Sequence, residues 1–146
     1  MADIPDDAVA ARAQGWRTLA ALHARIEDAL ERALREHGLS VSEYTVLDAL
    51  SRQPEGMYLR MSQLAGAVVL SQSATTRLIT RLEERGLVRR DLCPDDRRGI
   101  IIEVTEAGGA LLAETRPTHA AALAATLDAA RTVPELSPLV DAFHRL

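Results

Sequence analysis

The chain of 146 residues contains one cysteine, Cys93, and no lysine. A single cysteine cannot form an internal disulfide, so the sequence indicates a reducing compartment and a fold that rests on its own packing. The first seven residues carry three aspartates and no apolar run, which predicts neither a signal peptide nor a membrane span. We therefore expect a cytoplasmic protein.

The net charge of −4 would, by itself, argue against a nucleic-acid partner, because phosphate contacts need basic side chains. The charge is unevenly distributed, however. Residues 60–90 hold six arginines and two glutamates, a local excess of four positive charges inside an acidic chain. The hydrophobic content of 47% is enough for one substantial core, and the length does not require two independent domains.

Apolar periodicity and capping signals predict a mainly α-helical fold with a small β-hairpin, in the order ααααββαα. Ser40 and Glu43 have the spacing of a capping box, and Ser71 is a good N-cap. Pro117 is expected to kink the fifth helix. The predicted helices cover 6–37, 41–53, 61–67, 71–86, 105–131 and 134–146, and the predicted strands cover 87–92 and 100–104.

Residues 61–104 have the arrangement of a winged helix-turn-helix: a short helix, a turn, a longer helix and a two-stranded hairpin. On the longer helix, Ala74, Leu78 and Leu82 fall on one side. A helix in the major groove needs side chains that donate hydrogen bonds to base edges and phosphates. The other side supplies such groups at Gln72, Ser73, Thr76, Arg77, Thr80 and Arg81. The alternative interpretation is an ordinary solvated helix face, but the neighbouring helix and hairpin favour DNA binding.

The turn of the hairpin, or wing, carries Asp96, Arg97 and Arg98. Because Asp96 and Arg98 lie two residues apart, the carboxylate can hold the guanidinium extended toward a narrow minor groove, while Arg97 contacts phosphate. The alternative is a surface ion pair that contributes at most about 1 kcal/mol and has no function.

The stretch LSQSATTRLITRLEERGLVRR, followed by PDDRRGIIIEVTEAG, resembles the MarR family of bacterial regulators. The resemblance implies a single domain, with a DNA-binding lobe at 40–104 and dimerisation helices at 6–37 and 105–146. It also implies a homodimer on a pseudo-palindromic operator of double-stranded DNA. In this family pattern Arg98 enters the minor groove, Asp96 orients it, and the recognition helix supplies major-groove and phosphate contacts from Ser71, Gln72, Ser73, Thr75, Thr76, Arg77, Thr80 and Arg81.

The resemblance further implies a repressor that a small aromatic or phenolic ligand releases from DNA. In such proteins the ligand binds between the dimerisation helices and the DNA-binding lobe. Aromatic and imidazole groups suit a largely apolar pocket with a few polar groups, which favours Trp16, His23, Tyr44 and His119 as its lining. Core packing is the alternative role for these residues.

Other functions lack the residues they need. The redox-sensing branch of the family uses a cysteine near the start of the first helix, whereas Cys93 lies at the edge of the wing and has no partner thiol. The four histidines have no metal-ligand spacing, so neither a metal nor another cofactor is predicted. No glycine-rich phosphate loop or nucleophile elbow supports an enzyme. The remaining alternative is a winged-helix module that binds a protein without specific DNA binding.

Overall fold

The structure is a computed structural model that describes residues 6–54, 59–92 and 99–146. It confirms the mainly helical fold class with a small antiparallel sheet. None of the helices in these three ranges is long and apolar enough to span a membrane. In chain order the elements are α1 (Asp6–Arg35), α2 (Val41–Ser51), β1 (Leu59–Arg60), α3 (Met61–Ala67), α4 (Gln72–Glu84), β2 (Val88–Leu92), β3 (Ile100–Val104), α5 (Glu106–Arg131) and α6 (Ser137–Phe143).

The chain divides into two compact units. The helical unit consists of the residues up to Ala33 together with His119–Leu146, and the winged unit consists of Leu34–Thr118. Both boundaries fall inside long helices, since α1 and α5 each contribute residues to both units.

The helical unit has a small apolar core made by α1, α5, α6 and the turn before α6. Its buried members are Leu22, Leu127, Ala130, Leu136 and Val140. The predicted start of the last helix at Pro134 is wrong, because residues 134–136 form a turn and α6 begins at Ser137. Pro138, rather than Pro134, occupies the first helical turn, where a missing N–H costs nothing.

The winged unit follows the local signals of its sequence closely. Ser40 Oγ accepts a hydrogen bond from the Glu43 N–H at 3.0 Å, and Glu43 Oε1 accepts one from the Ser40 N–H at 3.2 Å, which confirms the capping box. Gly38 and Gly86 have φ values of 70° and 74°, which allow the chain to turn where α1 and α4 end. These helices end at Arg35 and Glu84, two residues before the predicted ends.

A three-stranded antiparallel sheet in the order β1-β3-β2 completes the winged unit. Ile102 of the central strand pairs with Leu59 on one side and with Arg90 on the other. The sequence did not predict β1, because two residues show no periodicity and their conformation depends on pairing with the distant β3. Pro117 lies inside α5, and the kink expected there stays a prediction.

The start of α5 is tied to the turn that follows α4. Thr105 Oγ1 donates a hydrogen bond to the Gly86 carbonyl at 2.6 Å and accepts one from the Gly108 N–H at 3.1 Å. The Thr105 N–H donates to the Leu87 carbonyl at 3.1 Å. The approach is so close that a Cβ atom on Gly108 would lie 2.1 Å from the Leu87 carbonyl oxygen. Only glycine fits at position 108 without moving backbone.

We expect Gly108→Ala to lower the free energy of unfolding by about 1–3 kcal/mol, because the added methyl group must displace the backbone of Leu87. Gly109→Ala is the matched control, since a Cβ atom there meets nothing within 4 Å; it should raise stability by about 0.5–1 kcal/mol through helix propensity. Urea denaturation at one protein concentration measures both. Equal effects of the two substitutions would contradict the proposed close contact.

Candidate nucleic-acid interface

A tight turn joins α3 to α4. The Leu70 N–H donates to the Ala65 carbonyl at 3.1 Å, and Val69 has a φ of 55° with 88% of its surface exposed. Ser71 then acts as the N-cap of α4, as predicted, because its Oγ accepts a hydrogen bond from the Ala74 N–H at 3.1 Å. The turn and the cap together fix the direction in which α4 leaves α3.

The buried face of α4 consists of Thr75, Leu78, Ile79 and Leu82. Thr75 is fully buried, and its hydroxyl donates to the Ser71 carbonyl at 2.9 Å. The interpretation of Thr75 as a DNA-contacting residue is therefore corrected: its side chain belongs to the core. Ala74, which was expected on the packed side, is only half-buried. Leu78 and Leu82 are packed as predicted, and Thr75 and Ile79, rather than Ala74, complete the buried face.

The opposite face of α4 is accessible. Thr76, Arg77, Thr80 and Arg81 line a surface depression of about 380 Å³, and Ser71, Gln72 and Ser73 are exposed at the beginning of the helix. The hydroxyls of Thr76 and Thr80 donate to carbonyls one turn earlier, at 2.9 and 3.0 Å. Arg77 and Arg81 have no hydrogen-bond or ion-pair partner in the described part of the chain. Their guanidinium groups are free to bind an anion.

Three other arginines of residues 60–90 are paired with acidic side chains. Two of the acidic partners, Glu43 and Glu103, lie outside that segment, so the local positive excess is smaller than the sequence count indicates. The pairs are Arg85–Glu43 at 2.7 Å, Arg89–Glu103 at 2.6 Å and Arg90–Glu83 at 3.6 Å. Within residues 60–90, the arginines without a partner in the described part of the chain are Arg77 and Arg81, both on α4.

The two strands of the wing, β2 and β3, pair along their whole length. Leu92 pairs with Ile100, and both side chains are exposed. Residues 93–98, which include Cys93, Asp96, Arg97 and Arg98, lie outside the described residues, so the roles expected for these residues stay predictions.

A polar cluster that the sequence analysis missed links α2 to α5. Asp48 accepts hydrogen bonds from Arg52 Nε at 2.7 Å and from Arg116 Nη2 at 3.1 Å, and Arg116 Nη2 also donates to Ser51 Oγ at 2.7 Å. Burial by itself raises the pKa of the Asp48 carboxyl, but the two arginines outweigh this effect and hold the pKa below its ordinary value. The four-residue spacing of Asp48 and Arg52 could have indicated their pairing on a helix. Arg116 is 68 residues away from Asp48, and no sequence pattern relates the two.

The four residues predicted to line a ligand pocket lie in different environments. Tyr44 is buried in the winged unit, where burial and the Asp48 charge raise the pKa of its hydroxyl. The other three belong to the helical unit: Trp16 is 70% exposed, His23 is exposed with Nε2 3.6 Å from Glu27 Oε1, and His119 is half-buried. Core packing is thus the role of Tyr44 within the chain, and Trp16 has no such role. A shared pocket stays a prediction.

The Asp48 cluster gives a pH-dependent stability. Because the pKa of Asp48 is lower in the folded than in the unfolded chain, its stabilising effect is complete above the unfolded pKa and is lost as the pH falls through the folded pKa. We expect Asp48→Asn to lower the free energy of unfolding by about 1–2 kcal/mol at neutral pH, and by much less at about pH 2. Urea denaturation at both pH values measures the difference.

Asp28→Asn is the control for that experiment, because Asp28 is exposed and has no partner in the described ranges. It should have little effect at either pH. If Asp48→Asn lowers the free energy of unfolding as much at about pH 2 as at neutral pH, the result would contradict stabilisation of the cluster by an ionised Asp48.

The helix pair α3–α4 with its tight turn, the exposed face of α4 and the hairpin that follows define a winged helix-turn-helix protein. The sequence model of the MarR family matches residues 37–99, a range that contains α2, α3, α4 and β2. A curated relative, HTH-type transcriptional regulator MhqR of Bacillus subtilis (strain 168), is 30% identical over 96 residues, which are 66% of this chain and 64% of the relative. The alignment thus spans less than two thirds of that protein.

Solved structures extend the similarity to the whole chain. AbsC, a MarR family transcriptional regulator from Streptomyces coelicolor, is 30% identical with full coverage of both chains and a TM-score of 0.72. Sco3205 from the same organism, solved in complex with DNA, is 29% identical over 99% of this chain and 88% of its own, with a TM-score of 0.76. CouR from Rhodococcus jostii RHA1, solved bound to p-coumaroyl-CoA, is 36% identical over 71% of each chain, with a TM-score of 0.64. This chain belongs to the MarR family of transcriptional regulators.

Proposed function

We propose that the chain binds double-stranded DNA sequence-specifically, as a homodimer, and thereby regulates transcription. The observation that carries this proposal is the pair of unpartnered guanidinium groups, Arg77 and Arg81, on the exposed face of α4 in the described part of the chain. Arginine can donate two hydrogen bonds to guanine or bind phosphate, and an exposed helix of this kind fits the major groove. Sco3205, solved in complex with DNA, supports the same use of the fold.

Within α4 the roles follow from exposure and hydrogen bonding. Arg77 and Arg81 contact base edges or phosphates, together with Gln72, Ser73 and Thr76. The exposed Ser71 and the first N–H groups of α4 receive a phosphate. Thr80 contributes less, because its hydroxyl already donates to Thr76 and accepts from Arg90.

The wing is the second part of the proposed interface. The β2–β3 ladder ends with the Leu92–Ile100 pair, and the segment that carries Asp96, Arg97 and Arg98 follows Leu92 in the chain. Arg98 in this turn reaches the minor groove, Asp96 orients it, and Arg97 contacts phosphate. The support for these roles is the Asp-x-Arg spacing and the hairpin that carries it.

We place the second copy of the chain on α1. Val9, Trp16 and Leu19 are exposed by 50%, 70% and 50%, and their spacing of seven and three residues puts them on one helix face. Exposed apolar stripes of this kind are typical of interfaces. A two-fold dimer presents two α4 helices to two half-sites, about one helical turn of DNA apart, on a pseudo-palindrome.

Sedimentation is expected to give twice the chain mass of 15.8 kDa for the wild-type protein. Trp16→Glu should lower the dimer affinity by a factor of about 100 or more, because it buries a charge in the interface. Gln14→Glu introduces the same charge on the opposite side of α1 and should leave the dimer intact. A wild-type monomer, or a Trp16→Glu dimer of unchanged affinity, would contradict this interface.

Repression with release by a small aromatic or phenolic ligand is the finer part of the proposal. CouR, bound to p-coumaroyl-CoA, supports a ligand of this class, and Trp16, His23, Tyr44 and His119 remain the proposed lining. A ligand can release DNA only through its different affinity for the two states of the protein. Aromatic acids and their CoA thioesters are therefore expected to lower DNA affinity when they are added to the DNA-binding assay described next.

DNA affinity at several salt concentrations tests the main proposal directly, with the intergenic DNA upstream of the protein's own gene as the probe. Arg77→Ala and Arg81→Ala should each weaken binding by about 1–3 kcal/mol, and loss of a phosphate contact should reduce the salt dependence as well. Arg25→Ala is the control, because it removes the same charge from an exposed arginine of α1 that has no partner in the described residues.

Specific binding that both α4 substitutions weaken and Arg25→Ala leaves unchanged is the expected result. Absence of specific binding by the wild-type protein, or unchanged affinity in both α4 variants, would favour the alternative of a winged-helix module that binds a protein partner.

A further inference from the structure

Arg90 belongs to β2, but its side chain contacts α4. Arg90 Nη2 donates a short hydrogen bond to Thr80 Oγ1, and Arg90 Nε lies 3.6 Å from Glu83 Oε1. The backbone N–H of Arg90 also donates to Glu83 Oε2 at 3.3 Å. One residue therefore ties the first strand of the wing to the helix with the free arginines.

The arrangement around Arg90 is costly for a residue that only stabilises the fold. Its side chain is 28% exposed, and Nε is buried without a hydrogen bond in the described part of the chain. A buried N–H without a hydrogen bond is uncommon in folded proteins, and the acceptor that faces Arg90 Nε is the Glu83 carboxylate of the ion pair. Glu83 faces this guanidinium, so the positive charge of Arg90 is directed into the protein rather than toward a partner.

The position of Arg90 in the sheet makes this contact a strong constraint on the wing. Arg90 pairs with Ile102 in the middle of the β2–β3 ladder, and the same Ile102 pairs with Leu59 of β1. Fixing Arg90 on α4 therefore fixes the whole hairpin, because β2 cannot rotate without breaking the ladder. On the other side of the contact, Thr80 directly precedes Arg81, so the anchor lies beside the proposed DNA-binding face.

We propose that Arg90 is a positioning residue that holds the wing at a fixed angle to α4, so that helix and hairpin meet adjacent grooves of the DNA together. This inference rests on the proposed DNA-binding function. It assigns Glu83 as the acidic partner that keeps Arg90 away from the phosphates. Neither residue contacts DNA, yet both determine specific affinity.

Substitution of Glu83 distinguishes a positioning role of Arg90 from the effect of charge alone on DNA affinity. Glu83→Ala removes a negative charge near the DNA, which by charge alone would tighten binding. A positioning role of Arg90 predicts the opposite result. Specific affinity should fall at least tenfold, because Arg90 loses its acidic partner and the hairpin loses this contact with α4. Glu84→Ala is the matched control: Glu84 is the adjacent exposed acid, with no partner in the described ranges, and its loss should leave affinity unchanged or slightly higher.

Substitution of Arg90 separates positioning from a phosphate contact. Arg90→Lys keeps the charge but has a single nitrogen, which cannot reproduce both the Nη2 and Nε contacts. We expect Arg90→Lys and Arg90→Gln to lose specific affinity alike, again by at least tenfold, while the slope of log affinity against log salt stays at the wild-type value. Loss of one phosphate contact would instead lower that slope by about 0.9 per chain.

Three results would overturn the inference. Wild-type affinity in Glu83→Ala and in both Arg90 variants, with only reduced thermal stability, would leave Arg90 a structural residue. Full affinity in Arg90→Lys with a reduced salt slope in Arg90→Gln would make it a phosphate contact. No specific DNA binding by the wild-type protein would remove the proposed function itself, and the inference with it. If an Arg90 variant does not fold, the loss of affinity expected for Glu83→Ala, compared with none for Glu84→Ala, still decides the question.

Discussion

The geometry of the winged unit depends on the close contact between the start of α5 and the turn after α4. Thr105 bridges the Gly86 carbonyl and the Gly108 N–H through one hydroxyl group, and the missing side chain of Gly108 leaves room for the Leu87 carbonyl. The end of α4, the beginning of β2 and the beginning of α5 are thus held at one point. Because all of these contacts except the Thr105 hydroxyl are made by backbone groups, they define the position of α4 and the hairpin more tightly than side-chain packing alone would.

The second constraint is the distribution of charge. The chain as a whole is acidic, so a nucleic-acid interface has to be local. Intramolecular ion pairs neutralise Arg85, Arg89 and Arg90, whereas Arg77 and Arg81 stay free in the described part of the chain. The same pairs connect α4 and the strands to their neighbours. Pairing therefore both supports the fold and selects which arginines are available to a partner.

Most of the fold could be predicted from the sequence, because its helices begin and end at local signals. Ser40, Ser71, Gly38 and Gly86 mark four of these helix boundaries to within about two residues, and the two longer strands show β-favouring runs. The two-residue β1 could not be predicted, since it exists only by pairing with β3. The start of α6 was misplaced because Pro134 and Pro138 carry the same local signal, and only the packing of Leu136 and Val140 separates them.

The candidate site was predicted less completely, for physical reasons that differ from residue to residue. Helical periodicity was enough to predict that Arg77 and Arg81 lie on the exposed face of α4. Thr75 was misassigned because a polar side chain gives no hydropathy signal for burial, while its hydroxyl is satisfied by the Ser71 carbonyl. The pairing of Arg85 with Glu43 and of Arg89 with Glu103 spans 42 and 14 residues, a separation at which the sequence shows no relation between them.

The central claim is that the exposed face of α4 enters the major groove of DNA. Protection of guanine N7 from methylation tests it most directly, because N7 lies in the major groove and is a preferred acceptor for arginine. The account predicts protected guanines in two half-sites about one helical turn apart, with protection lost in Arg77→Ala or Arg81→Ala protein. Bound DNA whose major-groove guanines stay fully reactive would contradict it.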